Sequence, residues 1–256
     1  LVLARLPDAP EGSRGISLFL APKVMVGDDG TLGSRNDVRP VSIEHKLGIH
    51  GSPTCVMAFE GAKAELVGVE NQGLAAMFTM MNAARLQVGT QGVAIAERAY
   101  QQALGFAKER KQGRSAGTGQ ANAPIYDHPD VRRMLLLMKA KIQAARAICL
   151  STAVAADLSH HAASADAREA AKLREELLTP IAKGWSTDVG VEVASLGLQV
   201  HGGMGFIEET GAAQHYRDAR ILPIYEGTHG IQAIDLIGRK LSMAGGAAMT
   251  SLIAEM

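Results

Sequence analysis

The spacing of apolar and polar positions changes once along this chain, near residue 70. Before that point, short apolar or alternating runs cover Leu1–Leu6, Gly15–Leu20 and Cys55–Phe59. Turn formers separate them: Pro7-Asp8, Gly27-Asp28-Asp29-Gly30 and Gly51-Ser52-Pro53. Short strands punctuated this way predict an antiparallel sheet or part of a barrel. After residue 70, Ala, Met, Leu, Gln and Arg dominate, all strong helix formers. Met77, Met81, Ala84, Val88, Val93 and Ala96 recur at three- to five-residue steps and predict one long helix over Gly73–Gln112. Gly89 and Gly92 inside it cost helix stability and read as points of close helix packing.

A Gly/Ser/Ala/Asn loop follows over Gln112–Pro124. Asp127-His128-Pro129 offers a capping group and a first-turn proline for a helix from Pro129 to about Ala156, with a core stripe of Val131, Leu135, Met138, Ile142, Ala145 and Cys149. His160–Ser164 reads as a corner. A short charged helix is expected over Asp166–Leu178. Thr179-Pro180 reads as the cap and first-turn proline of a separate helix to about Val200, ended by Gly202-Gly203. A last helix is expected from Thr228 to Leu241. The predicted fold is α+β and mainly α: a partial antiparallel β-domain over 1–70, then an antiparallel helical bundle over 71–256. Bundles of this kind place cofactor sites between facing helices or at their ends.

Composition changes this picture little. The chain has 256 residues, is 47% hydrophobic and 20% charged, and carries no formal net charge. The clustered basic excess of a nucleic-acid surface is missing, and no apolar run reaches the roughly 18 residues of a membrane span. Two isolated thiols, Cys55 and Cys149, fit small buried apolar side chains better than a disulfide framework. The chain opens on Leu1 in what reads as the interior of a strand. The expectation is a piece cut from a longer protein.

Three segments stand apart from the helical pattern: Glu109–Gly113, Gln199–Phe206, and Arg217–Arg220 continuing to Ile224–Thr228. Arg110 can serve a helix C-terminus or hold a phosphate with its planar fork. Gly202-Gly203 can end a helix or let backbone approach a ligand. Glu226 can cap the next helix. Alternatively, behind Ile221, Leu222, Pro223 and Ile224, it can act as a general base in apolar surroundings. His201 reads as a packed or capping histidine, and the adjacent His160 and His161 do not share a helix face, so no metal site is expected.

Together these segments resemble the acyl-CoA dehydrogenase family. Gln199-Val200-His201-Gly202-Gly203-Met204-Gly205-Phe206 is similar to its Gln-x-x-Gly-Gly-x-Gly-Phe segment. Arg217-Asp218-Ala219-Arg220 with Ile224-Tyr225-Glu226-Gly227-Thr228 is similar to its second signature, in the same order. Lys46–Thr54 resembles its middle β-domain, and Ala84-Arg85 the start of its C-terminal domain. The run Glu226-Gly-Thr-His-Gly-Ile-Gln-Ala-Ile-Asp-Leu236 resembles most the larger branch that includes 3-(methylthio)propionyl-CoA dehydrogenases. The family's aromatic residue after the arginine is lacking in Arg110-Lys111-Gln112-Gly113-Arg114. His229-Gly230 stands where many members carry a glutamine, and Asn82 where many carry an aspartate.

The resemblance implies oxidation of an acyl-CoA to the 2,3-enoyl-CoA with FAD, by α-proton abstraction and β-hydride transfer. Glu226 would be the base, and its backbone N–H would polarise the thioester carbonyl. Arg110, Gln199 and Gly203 would meet the FAD of a neighbouring subunit, and Thr228 that of its own. Arg85, Asn82, Tyr225 and Gly227 would lie by the acyl-CoA. The implied partners are an electron-transfer flavoprotein and further copies, in a homodimer or homotetramer. The implied location is the bacterial cytoplasm, or the mitochondrial matrix of a eukaryote. With the family's N-terminal region missing, this piece alone is expected to bind FAD poorly and to be inactive. An acyl-CoA oxidase and a non-catalytic binding protein of the same fold are the alternatives.

Overall fold

The computed structural model describes residues 1–255 and forms two compact units, Leu1–Ala83 and the described residues from Ala84 onward. The first unit is built from antiparallel strands: β1 (Val2–Arg5), β2 (Ile16–Leu20), β3 (Val24–Val26), β4 (Leu32–Arg35), β5 (Val38–Ile43), β6 (Cys55–Phe59) and β7 (Glu65–Val67). They pair as a three-stranded sheet in the order β1-β2-β7 and two hairpins, β3-β4 and β5-β6. Val2 opposes Phe19, and Leu18 opposes Val67. Buried Asn36 ties the loops together. Its side-chain nitrogen donates to the carbonyls of Pro22 (2.7 Å) and Lys63 (2.8 Å), and its oxygen accepts from the Lys63 N–H (2.9 Å). The same oxygen accepts from the Asp37 N–H (3.0 Å), so one asparagine satisfies four backbone groups. The strands expected from sequence are present. β3, β4, β5 and β7 are additional, because three- to six-residue runs with no buried position carry too weak a pattern to read.

Long helices make the second unit. α1 (Gly73–Glu109) begins in the first unit and continues into the second. It is followed by α2 (Pro129–His161), α3 (Ala165–His201), α4 (Ala212–Ala219), α5 (His229–Asp235) and α6 (Ala247–Glu255). The core joins Val93, Ala96, Ala103 and Ala107 of α1 to Met134, Leu135, Met138, Ile142 and Ala145 of α2 and Ala182, Val189, Val193 and Val200 of α3. Small residues allow close approach. A side chain at Gly89 would meet the Ala182 carbonyl oxygen at 2.8 Å, and one at Gly190 would meet that of Gly92 at 3.1 Å.

Several boundaries differ from the sequence reading. α1 stops at Glu109, and the expected loop folds back as a hairpin, with Lys111 bridged to Pro124 and Arg114 to Ala121. α2 starts after His128 without a side-chain cap, and Asp127 belongs to the preceding 3-10 turn. The two helices expected over 166–200 are one, α3, with Pro180 in its interior. Pro180 cannot donate to the Glu176 carbonyl, a local cost of about 3 kcal/mol. Burial of Leu177, Leu178, Pro180 and Ala182 outweighs it, and Thr179 Oγ1 donates to the Glu175 carbonyl (2.7 Å). The helix starting after Thr228 passes into a wide π turn over Leu236–Lys240. α4 and α6 were not expected. Among the described residues, no helix is long and apolar enough to cross a membrane.

Candidate active site

The chain leaves α4 at Ala219 and makes two tight turns before α5. Leu222 N–H donates to the Ala219 carbonyl (3.1 Å), and the N–H groups of Ile224 and Tyr225 both donate to the Ile221 carbonyl (2.9 and 3.1 Å). Buried Leu222 anchors the turns. The path then enters the left-handed region at Glu226 (φ 54°) and Gly227 (φ 88°). Glycine adopts such angles freely, whereas a glutamate there costs about 1–3 kcal/mol and needs its surroundings to hold it.

Four side chains do the holding. Lys183 of α3 donates from Nζ to the Gly227 carbonyl (2.6 Å), and Gln232 of α5 donates to the same oxygen (3.2 Å). Tyr225 donates its hydroxyl proton to Gln91 Oε1 of α1. Arg85 packs on the turn as well: a side chain at Gly227 would meet Gln232 Nε2 at 2.7 Å and an Arg85 Nη at 3.6 Å. Thr228 Oγ1 accepts from the Ile231 N–H (3.4 Å) and caps α5.

The charges around Glu226 are layered. Arg85 is buried and pairs with buried Asp235 (3.2 Å), which also binds Arg239 (2.5 Å). Lys183 is fully buried, and burial pushes its ammonium down to about 8; Arg85 adds to this, while Asp188 and Glu226 oppose it. Burial is also the first cause that raises the Tyr225 phenol, followed by Glu226. Glu226 itself is half-buried. Arg85 Nε and Gln232 Oε1 are buried and have no hydrogen-bond partner among the described residues, so the cluster keeps polar capacity for a bound group.

A second group of expected residues lies elsewhere. A cavity of about 530 Å³ is lined by Phe106, Arg110, Gln112, Ile125, Val200, His201, Gly202, Gly203, Met204 and Ile207. Arg110 is exposed at the end of α1. The Gly202-Gly203 corner ends α3, with Gly202 at φ 60°, and a side chain added at either glycine would meet no atom within 4 Å. The backbone there is open to close approach by a ligand. His201 is a packed residue: it stacks on Phe106 (4.5 Å between centroids), and its Nδ1 meets the Gly197 carbonyl at 2.7 Å. Exposed Gln199 precedes this corner by one turn.

The structure therefore brings Glu226, Tyr225, Gly227, Thr228 and Arg85 into one cluster, and Arg110 and Gly203 into another. From Arg85 to Phe106 along α1 the helical rise is about 32 Å, and from Lys183 to His201 along α3 about 27 Å. The second cluster lies at the end of the bundle where α1 and α3 stop, and the first lies partway along it, at the middle of α3. Asn82 is exposed on α1 and belongs to the first unit. The sequence reading missed Lys183, Asp235, Gln91 and Gln232. Lys183 carried one signal: it is the charged member of the stripe Thr179, Lys183, Ser186, Thr187, Gly190, otherwise made of small residues.

The model of the acyl-CoA dehydrogenase C-terminal domain matches residues 71–242. The chain belongs to the acyl-CoA dehydrogenase family. It is 57% identical, over 96% of its length, to the 3-methylmercaptopropionyl-CoA dehydrogenase of Ruegeria pomeroyi, and covers 42% of that protein. It is 39% identical to a butyryl-CoA dehydrogenase of Syntrophomonas wolfei, over the whole chain and 43% of that protein. The first of these agrees with the larger-branch resemblance. Among solved structures, Caenorhabditis elegans ACDH-11 in complex with C11-CoA superposes over 99% of this chain and 41% of its own, with TM-score 0.84 and 26% identity. The chain thus spans about two fifths of the length of the curated relatives it matches.

Proposed function

We propose that the protein containing this chain is an FAD-dependent acyl-CoA dehydrogenase and that Glu226 is its α-proton base. The carrying observation is the turn itself. The turn with a non-glycine residue at positive φ is held from three helices: by the buried Lys183 ammonium of α3, the Gln232 amide of α5 and the Gln91 amide of α1, which accepts from the turn's own Tyr225 phenol. Such enforced backbone strain clusters at functional sites.

The arrangement suits the chemistry. The left-handed turn carries the Glu226 carboxylate and its own backbone N–H on one residue. A hydrogen bond from that N–H to a thioester oxygen would acidify the α-proton as the carboxylate removes it. Arg85, with an unpaired Nε and an Asp235 brace, and Tyr225 border the same turn and would position the acyl-CoA, with Gly227 and Asn82 as further contacts. FAD, when bound, supplies the acceptor for the β-hydride. Thr228 would contact the FAD of its own subunit.

Arg110 would reach the FAD pyrophosphate of a neighbouring subunit, and Gln199 and Gly203 would meet the same FAD. The exposed guanidinium, the open glycine corner and the 530 Å³ cavity fit an anionic ligand. The helical rise of about 27–32 Å between the two clusters supports this assignment, because clusters so far apart on one chain are poorly placed to serve one flavin ring and its phosphates together. It calls for a homodimer or homotetramer. We place the domain boundary at residue 70, an electron-transfer flavoprotein as acceptor, and the bacterial cytoplasm as location. The last is supported by the bacterial origin of the two relatives named above. This chain by itself is expected to hold FAD weakly and to be inactive.

The test uses the full-length protein, anaerobically, with a panel of acyl-CoAs, reading oxidised-flavin absorbance. Fast bleaching in the wild type and bleaching slowed by orders of magnitude to a residual rate in Glu226→Gln is expected. Bound flavin that no acyl-CoA bleaches would favour the non-catalytic alternative. Rapid oxygen consumption on turnover would favour an oxidase.

A further inference from the structure

We propose that Lys183 is a positioning residue for the dehydrogenation: its buried ammonium holds the Gly227 carbonyl and thereby fixes the turn that presents Glu226. The inference rests on the reading of Glu226 as the base and goes beyond it, assigning a function to a lysine in the helical core.

A lysine is a poor choice for the inside of a bundle. Its four-carbon stem could be replaced by Met or Leu without burying a charge, and lysine is almost never fully buried unless paired. Lys183 is nevertheless, among the described residues, the largest that is completely shielded from solvent. It lies among Leu177, Ala182, Ser186 and Thr187 of its own helix, which are also buried. Its own carbonyl accepts from Thr187 Oγ1 (2.8 Å), so the helix continues regularly past it. Nζ reaches one acceptor, the Gly227 carbonyl at 2.6 Å, and that carbonyl belongs to the residue directly after Glu226.

The groups that face the ammonium come from every element around the turn. Arg85 of α1 repels it, Asp188 of α3 attracts it, and Glu226 attracts it. Asp188 also meets His229 Nε2 of α5 at 2.7 Å. Gln232 shares the carbonyl at a longer 3.2 Å and leaves its own Oε1 unpaired, so it is the weaker of the two anchors. Gly184, next to Lys183, faces the Gln232 side chain closely enough that an added side chain would lie 3.9 Å away. α3 and α5 therefore clamp the turn from two sides, and the charged anchor is on α3. A rotation at Gly227 that broke this bond would swing the Glu226 carboxylate and N–H together, because they share one residue.

The experiment uses the full-length flavoprotein. Lys183→Met removes the donor at nearly constant volume, and Lys183→Gln keeps a neutral donor. Each is made in the wild-type and the Glu226→Gln background. Acyl-CoA dissociation constants, flavin content and the single-turnover rate of flavin reduction are measured. Lys183→Met is expected to slow reduction about 10- to 100-fold, the scale of a displacement near 1 Å, with acyl-CoA affinity and flavin content unchanged. Lys183→Gln is expected to restore most of the rate. In the Glu226→Gln background, Lys183→Met is expected to cost nothing further, because the lysine acts through Glu226.

A wild-type reduction rate in Lys183→Met overturns the proposal, as does a loss that persists undiminished when Glu226 is already Gln. An active Glu226→Gln enzyme instead refutes the reading of Glu226 itself, which separates the two failures. If Lys183→Met does not accumulate as a folded flavoprotein, Lys183→Leu replaces it and is judged by the same rates.

Discussion

The crossing of α1 over α3 yields the sharpest test of the packing argument. Gly92 lies at a point of close approach between the helices. A methyl group added there would overlap the Ser186 carbonyl oxygen, lie 2.7 Å from the Ser186 carbonyl carbon and 3.0 Å from Thr187 Cα. All three are backbone atoms of α3 and cannot turn aside, and Gly190 fills the facing position. Alanine favours a helix over glycine by about 0.5–1 kcal/mol. Overpacking costs about 1–3 kcal/mol where side chains can move, and here a helix must shift, loosening Val93, Ala96, Val189 and Val193. The expected net loss for Gly92→Ala is about 1–3 kcal/mol. Gly105 is the control, thirteen residues further along the same helix, with open space at its Cβ position and an ordinary φ. Gly105→Ala should gain about 0.5–1 kcal/mol. Gly197, whose added methyl would lie at 3.6–3.9 Å from Ala99 and Met138, should fall between them. Urea unfolding of the three variants, read as midpoints at constant m, orders them. A Gly92→Ala protein as stable as Gly105→Ala would refute the claim that these glycines set the helix crossing.

Other outcomes follow from the charges. Lys183 ionises near 8 in the fold against an ordinary 10.5, so the folded state binds fewer protons within that window and stability should rise with pH there. Relative to Lys183→Met, the wild type should gain about 3 kcal/mol between pH 8 and pH 10.5, at about 1.4 kcal/mol per pH unit; a flat difference between the two unfolding curves would contradict the buried ammonium. Asp235→Ala should destabilise by about 3–5 kcal/mol by leaving Arg85 buried without its carboxylate, and Asp235→Ala with Arg85→Met should lose less than the single change, measured by chemical unfolding. Arg110→Met should lower flavin content in the full-length protein while leaving the melting temperature of the flavin-free form within about 1 °C, because the side chain is exposed.

The motif residues were legible because each signal is local. Tyr225-Glu226-Gly227-Thr228 and Gln199–Phe206 lie in contiguous stretches, although the cap of α5 is Thr228 and not the Glu226 that the sequence offered for it. β1, β2, β6, α1 and α2 were readable from alternation and helical periodicity, and Gly89 and Gly92 from their cost to a helix. What the chain alone could not decide depends on partners far along it. Pro180 looks like a helix start until the buried run around it outweighs one missing hydrogen bond. Lys183 is an ordinary helix lysine in sequence. Only the approach of α3 to a turn 44 residues later gives its ammonium the Gly227 carbonyl. Arg85 and Asp235 are 150 residues apart and become a buried pair only when α1 and the α5 end of the bundle meet. Periodicity is a property of neighbours in the chain, so sequence determined the long helices α1 and α2 and the motifs that carry the candidate residues. Burial, pairing and pKa are properties of neighbours in space, so only the fold determined which of those residues are held and by what.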